Sequence, residues 1–204
     1  MMKKNSKQKI LEVAMKEFAS FGFEGARVDR IAQRAGLNKA MIFYYFSSKQ
    51  NLYRTIIEDA LFDFIPKVQQ AIMEANTPER FFETLPELYI RYFSRKKDII
   101  EMIGRELIQS PQRITPLIRE IFSELPVNPP KMLHKAIGDW YRKGLISESD
   151  PIQFIFNIVP LCLFPIIAKP MVEAIMLIKI SDDEAFLSRR IQSISNLLKR
   201  GMLK

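Results

Sequence analysis

Between Val28 and Phe46 the chain sets two short apolar-periodic segments on either side of one glycine, in the run "RIAQRAGLNKAMIFYYF" over residues 30–46. No other stretch constrains the fold as strongly. Val28, Ile31, Ala32 and Ala35 fall on one side of a short helix. Gly36 supplies a left-handed turn residue at its end. Asn38 is a good N-cap for the next helix, which runs to Phe46. That helix ends in four consecutive aromatics, Phe43 to Phe46. Successive helical residues point in different directions, so four in a row cannot all enter one core.

The spacing sorts them. Ile42 and Phe46 share a face and, with Ile31 and Leu37, can form a small core. Lys39 and Phe43 share a second face, and Ala40 and Tyr44 a third beside it. Two short helices joined by a tight glycine turn match a helix-turn-helix, whose second helix lies in the DNA major groove. Lys39 can reach a guanine edge or a phosphate, and Tyr44 and Tyr45 can donate hydroxyl hydrogen bonds to phosphate. Ala40 is small enough for close approach to a thymine methyl. Lys49, at the start of the fourth helix, and Arg27, ahead of the second, can add phosphate contacts.

Charge is concentrated in the same region. Residues 1–54 hold 11 Lys/Arg against 4 Asp/Glu, whereas residues 55–204 hold 20 against 19. A basic end on a nearly neutral chain favours nucleic acid or an anionic membrane as partner and does not by itself choose between them. Enzyme chemistry has little to work with: His134 is the one histidine, Cys162 the one cysteine, and no glycine-rich phosphate loop is present. A histidine-built metal site is excluded on the same count, no cofactor is expected, and an intrachain disulfide is impossible with one cysteine. A cytoplasmic location fits a reducing compartment.

Helical spacing recurs along the chain and strand signals are weak, so the expected fold is all-α with about nine helices. Ile10, Ala14, Phe18 and Phe21 mark a first helix that stops at "FGFEG". Ser47, with Gln50 three residues on, reads as a capping box for the fourth helix, which Pro66 kinks or ends. Thr77-Pro78-Glu79 and Asp150-Pro151 are further starts, and Ser181 opens the last helix. All 12 prolines lie at Pro66 or beyond. The apolar stretch 154–168 is shorter than the ~20 residues a spanning helix needs and is interrupted by Asn157, Pro160 and Pro165. A buried or interface helix is expected there, with no membrane partner.

The segment "VDRIAQRAGLNKAMIFYYFSSKQNLY" resembles the DNA-binding segment of TetR-like transcriptional regulators. Ile31-Ala32, Ala35-Gly36-Leu37, Ile42 followed by aromatics, Phe46, Ser48-Lys49 and Leu52 carry the resemblance over residues 7–55. It implies a DNA-binding head over 1–50, with the motif at about 28–47. It implies a helical effector-binding and dimerisation domain over 51–204. Double-stranded DNA with an inverted repeat, a second copy of the chain and a small hydrophobic ligand are the implied partners. Family DNA contacts carry over onto Arg27, Lys39, Ala40, Phe43, Tyr44, Tyr45 and Lys49. Arg27 stands where a capping Thr or Ser is common, and Phe43 where Tyr is usual.

For the effector, the resemblance implies an apolar cavity, and the candidates are Phe64, Phe82, Tyr89, Met102, Phe122, Trp140 and Phe156. The bland alternative for each is plain core packing. For the dimer, the candidates are Phe154 and Ile158 with the heptad-like seam Leu187, Ile191, Ile194 and Leu198, which suits a partner helix, although a span of about two heptads leaves intrachain packing open. The reading is a repressor released by its effector. The alternative is a lipid- or membrane-surface-binding helical protein.

Overall fold

The computed structural model describes residues 2–125 and 128–204, with side chains in the first helix from residue 6 onward. The described residues form ten helices and no strand; one isolated bridge joins Ile146 to Leu203. The helices are α1 (Met2–Gly25), α2 (Val28–Ala35), α3 (Lys39–Phe46), α4 (Lys49–Glu74), α5 (Pro78–Ser94), α6 (Lys97–Gln109), α7 (Pro111–Glu124), α8 (Pro129–Arg142), α9 (Pro151–Met176) and α10 (Glu184–Met202). The all-α expectation holds, with one helix more than the nine read from spacing.

The chain divides into two compact units: residues 1–63 with 98–125, and residues 64–97 with 126–204. In the first, α1 packs on α2 and α2 on α3. Ile10, Ala14, Phe18, Ile31, Ile42 and Leu52 are fully buried there. Gly22 breaks α1 with φ 67° and ψ 176°, a region open essentially to glycine alone. Beyond it Phe23 folds back, stacks on Phe18 at 6.0 Å and meets the Tyr53 ring edge-on at 5.2 Å.

In the second unit α5 packs against both α9 and α10. Phe82 and Phe154 stack at 5.7 Å, and Trp140 lies 5.4 Å from Phe81. Ile137, Ile158, Ile194 and Leu198 complete this core. Each such side chain contributes about 1.5–3 kcal/mol by leaving water.

Local signals hold at several starts. The Asn38 side chain accepts from Ala40 N–H, Thr77 from Arg80 N–H and Asp150 from Ile152 N–H. Three expectations are corrected. The cap of α4 is Ser48, whose Oγ accepts from Asn51 N–H at 3.0 Å, while Ser47 ends α3 with φ 63°. The cap of α10 is Asp183, not Ser181. Pro66 does not end its helix, since α4 runs through it, and α9, the helix expected over 154–168, runs through Pro160 and Pro165. A proline removes one N–H and so orphans one carbonyl four residues earlier, a loss that a neighbouring donor can make good. For Pro165 that carbonyl belongs to Leu161, and the Arg190 guanidinium donates to it at 3.0 Å. By length and composition α9, at 26 residues, is apolar enough to cross a membrane.

Candidate nucleic-acid interface

The turn between α2 and α3 is a Schellman arrangement. Gly36 sits at φ 63°, ψ 36°, its N–H bonds Gln33 O at 3.0 Å, and Leu37 N–H bonds Ala32 O at 3.0 Å. This fixes the angle between the two helices. Ile31, Ile42 and Phe46 then bury, and Leu37 half-buries. Lys39, Ala40 and Phe43 are left exposed, and Tyr44 is 68% exposed. Tyr45 is half-buried, with its ring edge-on to Tyr44 at 5.2 Å. The aromatic run therefore divides along its length, as helical geometry requires.

Sequence reasoning missed what holds this surface in place. Glu17 of α1 is fully buried, and both its oxygens are used. Oε1 accepts from Arg30 Nε at 2.6 Å and from the Arg27 backbone N–H at 3.1 Å; Oε2 accepts from Arg34 at 2.9 Å. Arg27 makes no side-chain cap of its own. The distant carboxylate does that work instead, satisfying a donor at the start of α2 where negative charge is favoured. Arg30 and Arg34 are thus internal struts, and the Arg27 side chain remains exposed.

Two candidate contacts are already occupied. The Lys39 ammonium pairs with Asp29 at 2.9 Å, both groups being exposed, so the pair is worth at most about 1 kcal/mol and yields easily to a phosphate. Lys49 is held differently. Its ammonium lies 4.7 Å over the Phe23 ring and donates to the Glu24 carbonyl at 3.3 Å. Burial pulls its pKa below the usual lysine value, partly offset by Glu24. Lys49, expected to add a phosphate contact beside the α4 N-terminus, is the first residue of that helix, with its ammonium over Phe23.

The effector candidates do not gather around one cavity. Met102 and Phe122 belong to the first unit. Phe64 and Tyr89 meet edge-on at 4.9 Å, Phe82 and Trp140 sit in the second unit's core, and Phe156 faces outward, 66% exposed. A cavity of about 370 Å³ lies elsewhere in the second unit, between α5, α9, α10 and the 177–183 connection. Its wall includes Ile90, Phe164, Val172, Leu187, Cys162 and Arg190.

The dimer candidates are corrected too. Phe154, Ile158, Ile194 and Leu198 are buried within the subunit, and Leu187 and Ile191 pack against the same core. They face α5 because that is the apolar surface their own chain supplies. The exposed apolar face is the other side of α9: Ile152, Phe156, Ile167, Met171 and Ile175.

A basic head with a braced, outward-facing recognition helix defines a helix-turn-helix DNA-binding protein. Residues 10–56 match the signature described as bacterial regulatory proteins, tetR family. Over 172 residues the chain is 41% identical to the helix-turn-helix-type transcriptional repressor SCO4008 of Streptomyces coelicolor, covering 81% of each chain. It is 24% identical over 199 residues to the transcriptional regulator RutR of Escherichia coli K12, covering 96% of this chain and 90% of the other. In fold it is similar to the fatty acid degradation regulator FadR of Bacillus halodurans, with a TM-score of 0.69 at 18% identity over 95% and 94% of the two chains. The chain belongs to the TetR family of transcriptional regulators. That membership disfavours the alternative of a membrane-surface protein.

Proposed function

We propose that this regulator is a repressor that grips an inverted-repeat operator as a homodimer and leaves it when a small apolar effector enters the cavity beside α9. The observation that carries the DNA half is the exposed row of Lys39, Ala40, Phe43 and Tyr44 above buried Ile42 and Phe46. Lys39 and Ala40 meet base edges and phosphate, and the tyrosines and Arg27 hold the backbone. Phe43 and Lys49 contribute shape and packing more than hydrogen bonds.

The dimer half rests on the outward face of α9. Monomeric soluble proteins rarely expose so continuous an apolar surface, and a second copy of the same helix would cover it. The effector acts by population shift, favouring a spacing of the two heads that no longer matches successive major grooves.

The test is binding to a fragment of the DNA flanking the gene that carries an inverted repeat. Replacing both Lys39 and Tyr44 with Ala is expected to weaken binding about 100-fold, taking roughly 1–3 kcal/mol for each contact, while the dimer mass stays unchanged. Wild-type affinity should fall steeply with salt. Undiminished binding by the double variant would show that another surface reads the DNA.

A further inference from the structure

Arg190 stands in the cavity wall with a charge that no carboxylate neutralises among the described residues. Its terminal nitrogen is anchored on the Leu161 carbonyl at 3.0 Å, the acceptor that Pro165 leaves without a helical partner. Its Nε is buried and has no hydrogen-bond partner among the described residues. A buried donor left unpaired is costly, and a charged one more so; native proteins satisfy nearly all of them. No carboxylate of the protein pairs with this guanidinium among the described residues. The acid in the same wall, Asp182, is shared by Lys97 at 2.6 Å and Lys169 at 2.9 Å. Three cations against one carboxylate leave the lining with two surplus positive charges, set in a wall otherwise built largely from Ile90, Phe164, Val172, Phe186 and Leu187.

This deepens the effector reading and rests on it: we infer that the cavity takes an amphipathic anion, a carboxylate on an apolar body, with the carboxylate on the Arg190 guanidinium and the body along the α5, α9 and α10 side chains. A neutral apolar ligand would fill the space and leave the surplus positive charge of the lining unbalanced. A cationic ligand would meet a lining with surplus positive charge. A carboxylate on a guanidinium makes a charge-assisted hydrogen bond, and in a partly desolvated site that bond decides between ligands of equal tail. The fixed anchor on Leu161 means that Arg190 is already oriented, so little side-chain entropy is lost when the anion arrives.

The experiment is calorimetric titration of the full-length protein with straight-chain carboxylates of six to fourteen carbons and with the matching primary alcohols. The best carboxylate is expected to bind about 10- to 100-fold more tightly than its alcohol, the ratio a charged hydrogen bond supports. Arg190→Gln should erase that preference while keeping alcohol binding. Because Arg190 also braces α9, Lys97→Gln with Lys169→Gln is a second variant, placed on side chains nearer the surface, expected to reduce the preference several-fold. Equal binding of acid and alcohol by the wild type would overturn the anion inference and leave the apolar effector site standing. Binding of neither series, with operator binding intact, would overturn both.

Discussion

The Glu106 carboxylate accepts the backbone N–H of Phe23 at 2.9 Å, across 83 residues of chain. That N–H is free because Gly22 breaks α1; in an unbroken helix it would bond the Ala19 carbonyl. The other half of the lost bond is replaced as well, since Arg105 Nε donates to Ala19 O at 3.2 Å. Two adjacent residues of α6 thus substitute for one missing helical hydrogen bond. Glu106, almost fully buried, is held in turn by Arg113 at 3.3 Å. Arg113 also pairs with Glu24 and lies 4.4 Å over the Phe23 ring.

Glu106→Ala removes the acceptor for the Phe23 N–H and the partner of Arg113 together. A loss of about 2–3 kcal/mol in unfolding free energy is expected, measured by urea denaturation. Glu106→Gln retains an acceptor oxygen of the same reach and loses only charge, so about 1 kcal/mol is expected. Equal cost for the two variants would mean that the charge, and not the N–H contact, dominates.

Glu17 makes the same kind of claim for the head. Glu17→Ala frees Arg30 and Arg34 and leaves the Arg27 N–H uncapped. The arginine side chains are 34% and 53% exposed, so they can rehydrate. The cost is therefore closer to about 2–3 kcal/mol than to the 3–5 kcal/mol typical when a stranded charge stays buried. Operator binding should fall with it, because α2 loses the strut that sets its angle to α1. Native stability together with native DNA affinity in this variant would remove the strut from the account.

These carboxylates also mark where sequence reading stops. Gly36, Asn38, Thr77 and Asp150 act through neighbours two to four residues away, so their roles are written locally. Ile42 and Phe46 are legible for the same reason, since four residues is one helical turn. Glu17 reaches 10 to 17 residues ahead and Glu106 reaches 83 back, and no periodicity encodes such pairings. Ser47 and Ser48 are chemically identical caps, so only the backbone shows which one starts α4. The 4-3-4 spacing of Leu187 to Leu198 reveals an apolar face without revealing whether α5 or a second copy covers it. Three prolines in α9 argue for breaks until a donor such as Arg190 is seen to meet the orphaned carbonyl.

Burial pushes the Cys162 thiol from about 9 up to about 12, against a smaller opposing pull from Arg190. The native state therefore holds this proton more tightly than the unfolded chain. The thiol's contribution to stability is complete below pH 9 and is lost as pH rises toward 12. At pH 8 the native thiol should react with a disulfide reagent at least about 100-fold more slowly than in 6 M urea, because the thiolate is the nucleophile. Fast labelling of the folded protein would mean that the site opens readily to solvent.

The two faces of α9 and α10 give opposite predictions for one kind of substitution. Phe156 and Ile175 are 66% and 70% exposed, on the outward side of α9. Aspartate there costs the isolated subunit little, because surface changes away from caps and networks stay within about 0.5 kcal/mol. It would instead place like charges at the centre of the proposed two-fold interface. Phe156→Asp with Ile175→Asp is thus expected to give a folded monomer by light scattering, with helical content unchanged by circular dichroism. Operator affinity should drop by about 100-fold or more, since each head then binds its half-site alone. Ile194→Asp, at a position 1% exposed within the subunit core, should unfold the protein outright, because it buries an unpaired charge. A dimer that survives the α9 pair would place the interface on another surface, and a folded Ile194→Asp would contradict the inward assignment of the α10 seam.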